Sequence, residues 1–203
     1  MAVKLTKNEL KTQKDQLKQF QRYLPTLQLK KQQLQLVIRQ IYADLDLKSR
    51  QREEMIGNLD DWVAVFAENK CFDQDLKLEN VVLPDKVVYV NDNIAGVQIP
   101  VFKELTFKEI DYNVDNYPLW VDTALFKLRE IARLDALVKT LKIQVQLLET
   151  ELRTTSQRVN LFEKVKIPEA KENIRVIGIY LGDQQTSAVV RGKIAKKKLQ
   201  GAQ

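Results

Sequence analysis

The sequence predicts a mainly α protein, a long antiparallel two-helix left-handed coiled coil with a small β-hairpin-containing insert between the helices. Three observations carry that reading. Apolar residues recur at alternating steps of three and four near both ends of the chain. The stretch between them changes to β-branched residues punctuated by Pro84, Gly96 and Pro100. Charge is partitioned, with both ends basic and the middle acidic. The expected organisation is a basic N-terminal segment and long helix over 1–69, the insert over 70–116, and a second coiled-coil helix over 117–203. That last part carries a kink near Pro168 and a basic tail.

The first helix follows from a heptad begun at Leu10. One seam set reads Leu10, Leu17, Leu24, Lys31, Ile38, Leu45, Arg52, Leu59, Phe66. The other reads Gln13, Phe20, Leu27, Leu34, Ile41, Lys48, Met55, Trp62, Asn69. Thirteen of these eighteen positions are apolar, and Gln, Lys, Asp and Glu fill the gaps. Pro25 predicts a first helical turn, kink or break, with regular helix beyond it. At ~1.5 Å per residue, the helix expected from Thr26 to Glu68 would be a rod of roughly 65 Å, too long for the core of a compact domain.

The insert contains two strand-like runs, Lys86–Asn91 and Ile94–Ile99, with Asp92-Asn93 as the expected tight turn. A lone hairpin is marginal in water, so its Val, Ile and Tyr face must rest on the helices.

The second helix has seam sets Tyr117, Ala124, Ile131, Val138, Val145, Leu152, Val159, Lys166 and Trp120, Lys127, Leu134, Leu141, Leu148, Thr155, Phe162. Twelve of the fifteen are apolar, counting Ala and Tyr. Beyond Phe162 the pattern weakens. Pro168 must break or kink the helix, and on propensity alone Asn173–Gly182 could be a strand, a choice between strand and helix that the local sequence leaves open. Gln184–Lys198 returns to a helix-compatible pattern.

Composition narrows the chemistry. The 203 residues contain no histidine and a single cysteine, Cys71. The usual acid–base group near neutral pH and the commonest metal ligand are therefore missing, and one thiol makes neither a metal cage nor an intrachain disulfide. No two of the six glycines are five apart, and Gly192-Lys193 is followed by Ile194, so a phosphate-binding loop of the Walker type is excluded. The pairs Glu53-Glu54 and Asp60-Asp61 sit adjacent on a helix and point about 100° apart, so they do not converge on a substrate. No catalytic, cofactor or metal residues are assigned, and the chain is expected not to be an enzyme. The longest uncharged run, Asn93–Phe102, is ten residues, far short of a membrane span. The opening MAVKLTKNELKTQK lacks an apolar signal core, and the expectation is a soluble, cytoplasmic protein.

Residues 1–31 hold eight bases and two acids, net +6, and residues 191–203 hold five bases and no acid. The remaining 32–190 hold 20 bases and 25 acids, net −5. An antiparallel hairpin brings the two basic ends together in one positive tip. Nucleic acid is set aside as its partner because Phe20 falls in the seam and the tail offers no aromatic platform beyond Tyr180. A protein socket with acidic walls suits the charge better. The polar seam residues Gln13, Lys31, Lys48, Arg52 and Asn69 read as register specification or snorkelling, or as contacts for a third party.

Particular stretches resemble a known family. Arg158-Val-Asn-Leu-Phe-Glu163 with Ile167-Pro168 is similar to the RVNxxE…IP signature of the D subunit of V-type and A-type rotary ATPases. Leu24–Lys31, Asn93–Val97 with Pro100, and Arg191-Gly-Lys-Ile-Ala-Lys196 resemble that family's N-terminal, hairpin and C-terminal patterns, in the same order. Val176–Gln185 departs from the charged helix common there, which suggests a divergent bacterial member; the resemblance still implies helix.

The resemblance further implies a central-stalk rotor shaft that couples ATP turnover to proton or sodium transport. Its paired termini would enter the bore of the A and B catalytic hexamer, its middle would bind the small F subunit, and its far end would seat in the C/d connector above the membrane sector. Candidate interface residues are Lys4, Lys7, Lys11, Lys14, Arg158, Asn160, Glu163, Arg191, Lys193, Lys196 and Lys197. The alternative from another class is a prefoldin-like coiled-coil chaperone or tether, whose chains also place β-hairpins between two helices but are usually shorter.

Overall fold

The computed structural model describes residues 3–60, 82–108 and 120–200. Cys71 and the seam positions Phe66, Trp62, Asn69 and Tyr117 lie outside them. The elements in order are α1 (Lys7–Asp60), β1 (Pro84–Ile94), β2 (Val97–Phe107), α2 (Trp120–Leu161), a π-helical turn (Phe162–Lys166) and α3 (Ile167–Gln200). The chain is thus mainly helical, with a two-stranded antiparallel hairpin between the helices. It divides into two compact units, one made of residues 1–32 and 153–203, the other of residues 33–152.

In the second unit, helices α1 and α2 run antiparallel. Tyr42 Oη donates to Glu149 Oε1 at 2.8 Å, and ten residues further along α1 the Arg52 Nε donates to Asp135, fourteen residues back along α2. Their seam supplies Leu34, Ile38 and Ile41 from α1 and Val145 and Leu148 from α2 to one buried cluster. The hairpin closes it. Ile99 is buried among these residues, and Ile94, Ala95, Val97 pack against them. Gln144 Nε2 donates to the Pro100 carbonyl, which fixes the strand to α2. The expected docking of the hairpin on the helices is therefore observed.

The hairpin itself corrects the sequence reading. Its turn is Ala95-Gly96, not Asp92-Asn93: both residues have positive φ, 52° and 83°, the pattern of a type I′ turn. Asp92 and Asn93 sit instead at the end of β1, paired with Ile99 and Gln98. The Asn93 side chain accepts the Gly96 N–H at 2.9 Å and so closes the turn from outside. A turn at 92–93 would have placed Tyr89 opposite Gly96. The observed register pairs Tyr89 with Phe102, Val90 with Val101 and Val87 with Leu105, and extends each strand to eleven residues. Apolar cross-strand pairs of this kind contribute about 0.2–1 kcal/mol each, so several together outweigh one αL alanine.

In the first unit the same antiparallel sense holds. The Phe20 and Phe162 rings meet at 5.3 Å, and Asn173 Nδ2 donates to Gln13 Oε1 at 3.4 Å. Helix α1 opens on a threonine N-cap: Thr6 Oγ1 accepts the Glu9 N–H at 3.2 Å. Pro25 lies inside α1, which is neither begun nor interrupted there.

Pro168 does not break the helix either. The chain passes through five π-helical residues, in which the Ile167 N–H reaches back to the Phe162 carbonyl, and continues as α3 to Gln200. Proline cannot supply the next N–H of a regular ladder, and a π-turn spreads that loss over a wider turn. The extra residue has a consequence for packing. An unbroken heptad would put Lys166, Glu169, Asn173, Val176 and Tyr180 in the seam, yet all of these but Asn173 are exposed. One residue later, Ile167, Ala170, Ile174, Ile177 and Leu181 are buried or half-buried. The run that could be a strand on propensity, Asn173–Gly182, is therefore helix, with Ile174 and Ile177 aimed inward and Ile179 exposed. The seam assignment of Lys166 is corrected by one position.

Candidate subunit-binding surfaces

All eleven candidate interface residues fall in the first unit, and all are exposed: Lys4, Lys7, Lys11, Lys14, Arg158, Asn160, Glu163, Arg191, Lys193, Lys196 and Lys197. Their distribution on the helices is uneven. Lys7, Lys11 and Lys14 follow one another at steps of four and three, so at about 100° per residue they share one face of α1. Lys18 and Arg22 continue that face at further steps of four and are exposed as well. The result is a one-sided basic stripe roughly 100° around the helix from the seam residues Leu10, Leu17 and Leu24. Charge counting found the surplus but missed Lys18 and Arg22; helical spacing was the signal that could have found them. Like charges at these spacings each destabilise a helix by a few tenths of a kcal/mol, so the stripe costs stability in isolation.

At the other end of the chain, every residue from Gly182 to Gln200 is exposed although helical. This stretch has no covering element within its unit. It presents Val189, Val190, Ile194 and Leu199 beside Arg191, Lys193, Lys196, Lys197 and Lys198. Arg158, Asn160 and Glu163 lie on the outer side of α2 and the π-turn, while Val159 and Phe162 between them face the seam. The signature thus alternates packing residues with exposed polar ones.

Beside the π-turn, a half-open cleft of about 380 Å³ is lined by Gln13, Gln16, Gln19, Lys166, Glu169 and Asn173, among others. The Lys166–Glu169 ion pair at 3.5 Å spans one turn of its wall. Its lining is amide-rich and holds no nucleophile, which suits hydrogen bonding to a protein surface.

In the second unit, Leu36 and Leu47 stand on the face of α1 opposite the seam, each more than half exposed. Eleven residues are about three turns, so the two leucines align. Of the polar seam residues, Gln13 and Arg52 bond across to the facing helix of this same chain, which favours register specification for them. Glu149 raises the pKa of the Tyr42 hydroxyl, chiefly through their hydrogen bond. The Arg175 guanidinium lowers that of Glu172, again chiefly by hydrogen bonding. Among the described residues, no group of three or more acidic or Cys side chains is arranged to hold a metal, and no helix is long and apolar enough to cross a membrane.

Comparison with known proteins finds relatives that match nearly the whole length of the chain. A family model for the D subunit of ATP synthase matches residues 9–197. The D subunit of the V-type ATP synthase of Borreliella burgdorferi is 48% identical over 197 residues, covering 97% of this chain and 95% of that protein. Those of Chlamydia abortus and Chlamydia pneumoniae are 35% and 34% identical, each covering 98% of this chain and 94% and 93% of their own. The prefoldin-like alternative gives way to this match. The chain belongs to the family of ATP synthase D subunits, as a component of a V-type ATP synthase.

Proposed function

We propose that this chain is the central-stalk rotor subunit of its V-type ATP synthase, a non-catalytic, mechanical part that couples ATP turnover in the A and B hexamer to proton or sodium transport. The observation that carries the reading is the one-sided charge of the first unit. A shaft that holds three equivalent catalytic sites in different states must present a different surface to each. Five bases on a single face of α1, beside a bare basic helix over 182–200, supply such an asymmetry. Basic residues steer and orient a partner of opposite sign, and their self-repulsion is relieved when acidic walls surround them. Lys4, Lys7, Lys11, Lys14, Arg191, Lys193, Lys196 and Lys197 then face the bore of the hexamer. Arg158, Asn160 and Glu163 contact it or the neighbouring stalk.

The aligned Leu36 and Leu47 suit a helix of the small F subunit. The hairpin-bearing end seats in the C/d connector, and neither nucleic acid nor a cofactor takes part. The protein works in the cytoplasm, peripheral to the membrane as part of the soluble sector.

Native mass spectrometry after co-expression with A, B and F subunits tests this. One copy of the chain per A and B hexamer, with F attached, is expected. Reversing Lys7, Lys11 and Lys14 to Glu should release the chain from the hexamer with its helix content unchanged. Assembly in several copies, or full retention of the reversed variant, would overturn the reading.

A further inference from the structure

We infer that the π-turn is a soft joint, at which α3 bends and twists against the last turns of α2 more readily than a regular helix would. Its backbone is the first reason. The Ile167 N–H reaches back five residues to the Phe162 carbonyl, and Pro168, next in line, brings no N–H. One carbonyl of the turn is thus left without a partner in the ladder. Glu163, Lys164, Val165 and Lys166 are all exposed, so water takes that bond. A ladder that water enters is where helices kink.

Side chains do little to stiffen the turn. Of its five residues only Phe162 is even half-buried, and its ring meets Phe20 at a tilt of 40°. The Lys166–Glu169 ion pair bridges the turn to α3, but both side chains are exposed and such pairs hold weakly. Firm anchors stand on either side: Thr155 and Val159 before the turn, Ala170 and Ile177 after it, are buried. Beside the joint lies the half-open cleft of about 380 Å³, with Gln13, Gln16 and Gln19 of α1 in its wall. Close-packed interiors resist displacement, and this open space removes that resistance on one side. The start of α3 can therefore move without expelling packed side chains.

Few buried contacts and solvent-open backbone bonds are the marks of low local stability. The joint stands where such softness is useful. Beyond it α3 runs into the bare stretch 182–200, whose exposed side chains suit a neighbouring subunit. Helix α3 can follow that neighbour while the seam residues before the turn stay packed, as hinges allow. The inference goes beyond the rotor reading and does not depend on it.

Pulsed electron paramagnetic resonance on a Cys71→Ser chain tests this. One pair of spin labels, at Gln157→Cys and Lys171→Cys, brackets the joint. The other, at Arg39→Cys and Glu53→Cys, covers an equal span of uninterrupted α1, and all four sites are exposed. Hinge motions run in microseconds to milliseconds, and freezing traps their spread. The distance distribution across the joint should be about twice as wide as that in α1. Deleting Val165 together with Pro168→Ala should narrow it to the width found in α1. Amide exchange within Glu163–Ile167 should run at least about tenfold faster than within Thr155–Val159, and slow in the deleted chain. Equal widths for the two pairs, or a width that survives the deletion, would overturn the proposal. Should the deleted chain fail to fold, the two widths and the exchange rates of the undeleted chain decide.

Discussion

The two units use the same helical seam to different ends. In the second unit three elements meet, and Leu34, Leu148 and Ile99 are buried to within 2% of full exclusion from water. In the first unit no hairpin joins the helices, and the α1 positions Leu10, Leu17, Leu24 and Leu27 are only half-buried, although Thr155 and Ile177 of that unit are fully covered. The unit with the hairpin is built to hold itself together. The unit with the basic stripe leaves its helices open, and its last nineteen helical residues have no cover within it. Exposed apolar and basic side chains in one place are what a subunit keeps for its neighbours.

The largest expected effect concerns the π-turn. Deleting Gln157 within regular α2 shifts every later seam residue by one position and should cost several kcal/mol, enough to abolish the cooperative melt of the first unit. Deleting Val165 together with Pro168→Ala removes the inserted residue and the missing N–H at once, which keeps Ile167, Ala170 and Ile177 in the seam. That variant should unfold within about 1 kcal/mol of the parent in urea. Equal damage from the two deletions would break the account of the turn.

The contrast in burial is sharpened by two truncations on one helix. Leu34→Ala, at a site with no exposure, should cost about 3–4 kcal/mol, and Leu17→Ala about 1–2 kcal/mol, both from urea unfolding. A larger loss at Leu17 would mean that the first unit is the tighter one.

Smaller still, Gly178 and Gly182 have open space where a Cβ would stand. Replacing each by Ala should stabilise α3 by up to about 1 kcal/mol, visible as greater helicity in circular dichroism and a higher Tm. A lower Tm would show that the glycines are held in a conformation other than the helix described.

Tyr42 offers the gentlest probe. Its raised pKa means the neutral hydroxyl bonded to Glu149 is the stabilised form. That contribution is present below the ordinary tyrosine pKa and is lost as pH rises through the higher folded value. Glu149→Gln should move one of the six tyrosines back toward its ordinary range in an ultraviolet pH titration.

Much of this architecture was legible in the heptad. All fifteen seam positions of α1 from Leu10 to Leu59 are buried or half-buried, including Lys31, Lys48 and Arg52. The reason is geometric: a 3–4 repeat keeps one face turned inward whatever residue occupies it, and long cationic side chains reach water from there. The features that escaped were insertions and turns. A single extra residue at Phe162–Lys166 rotates everything after it, so Ile174, Ile177 and Leu181 looked like a strand until the phase was corrected. The hairpin turn escaped because Asp92-Asn93 offered turn chemistry, while Ala95 took positive φ only as the consequence of longer apolar pairing. At the surfaces, net charge was legible from composition, but the alignment of Lys18 and Arg22 with Lys7, Lys11 and Lys14 required helical phase. The stacking of Arg129 and Arg133 on the Phe107 ring, joining residues more than twenty positions apart, left no trace in local sequence.

The most direct test of the rotor claim is to watch the chain turn. A bead coupled through Asp92→Cys, in a Cys71→Ser background, on a complex immobilised by its A and B subunits would report the angle of the hairpin during ATP hydrolysis. Unidirectional stepping that stops when ATP is withdrawn is the predicted result. A bead that holds one angle while the same complexes hydrolyse ATP would contradict the account.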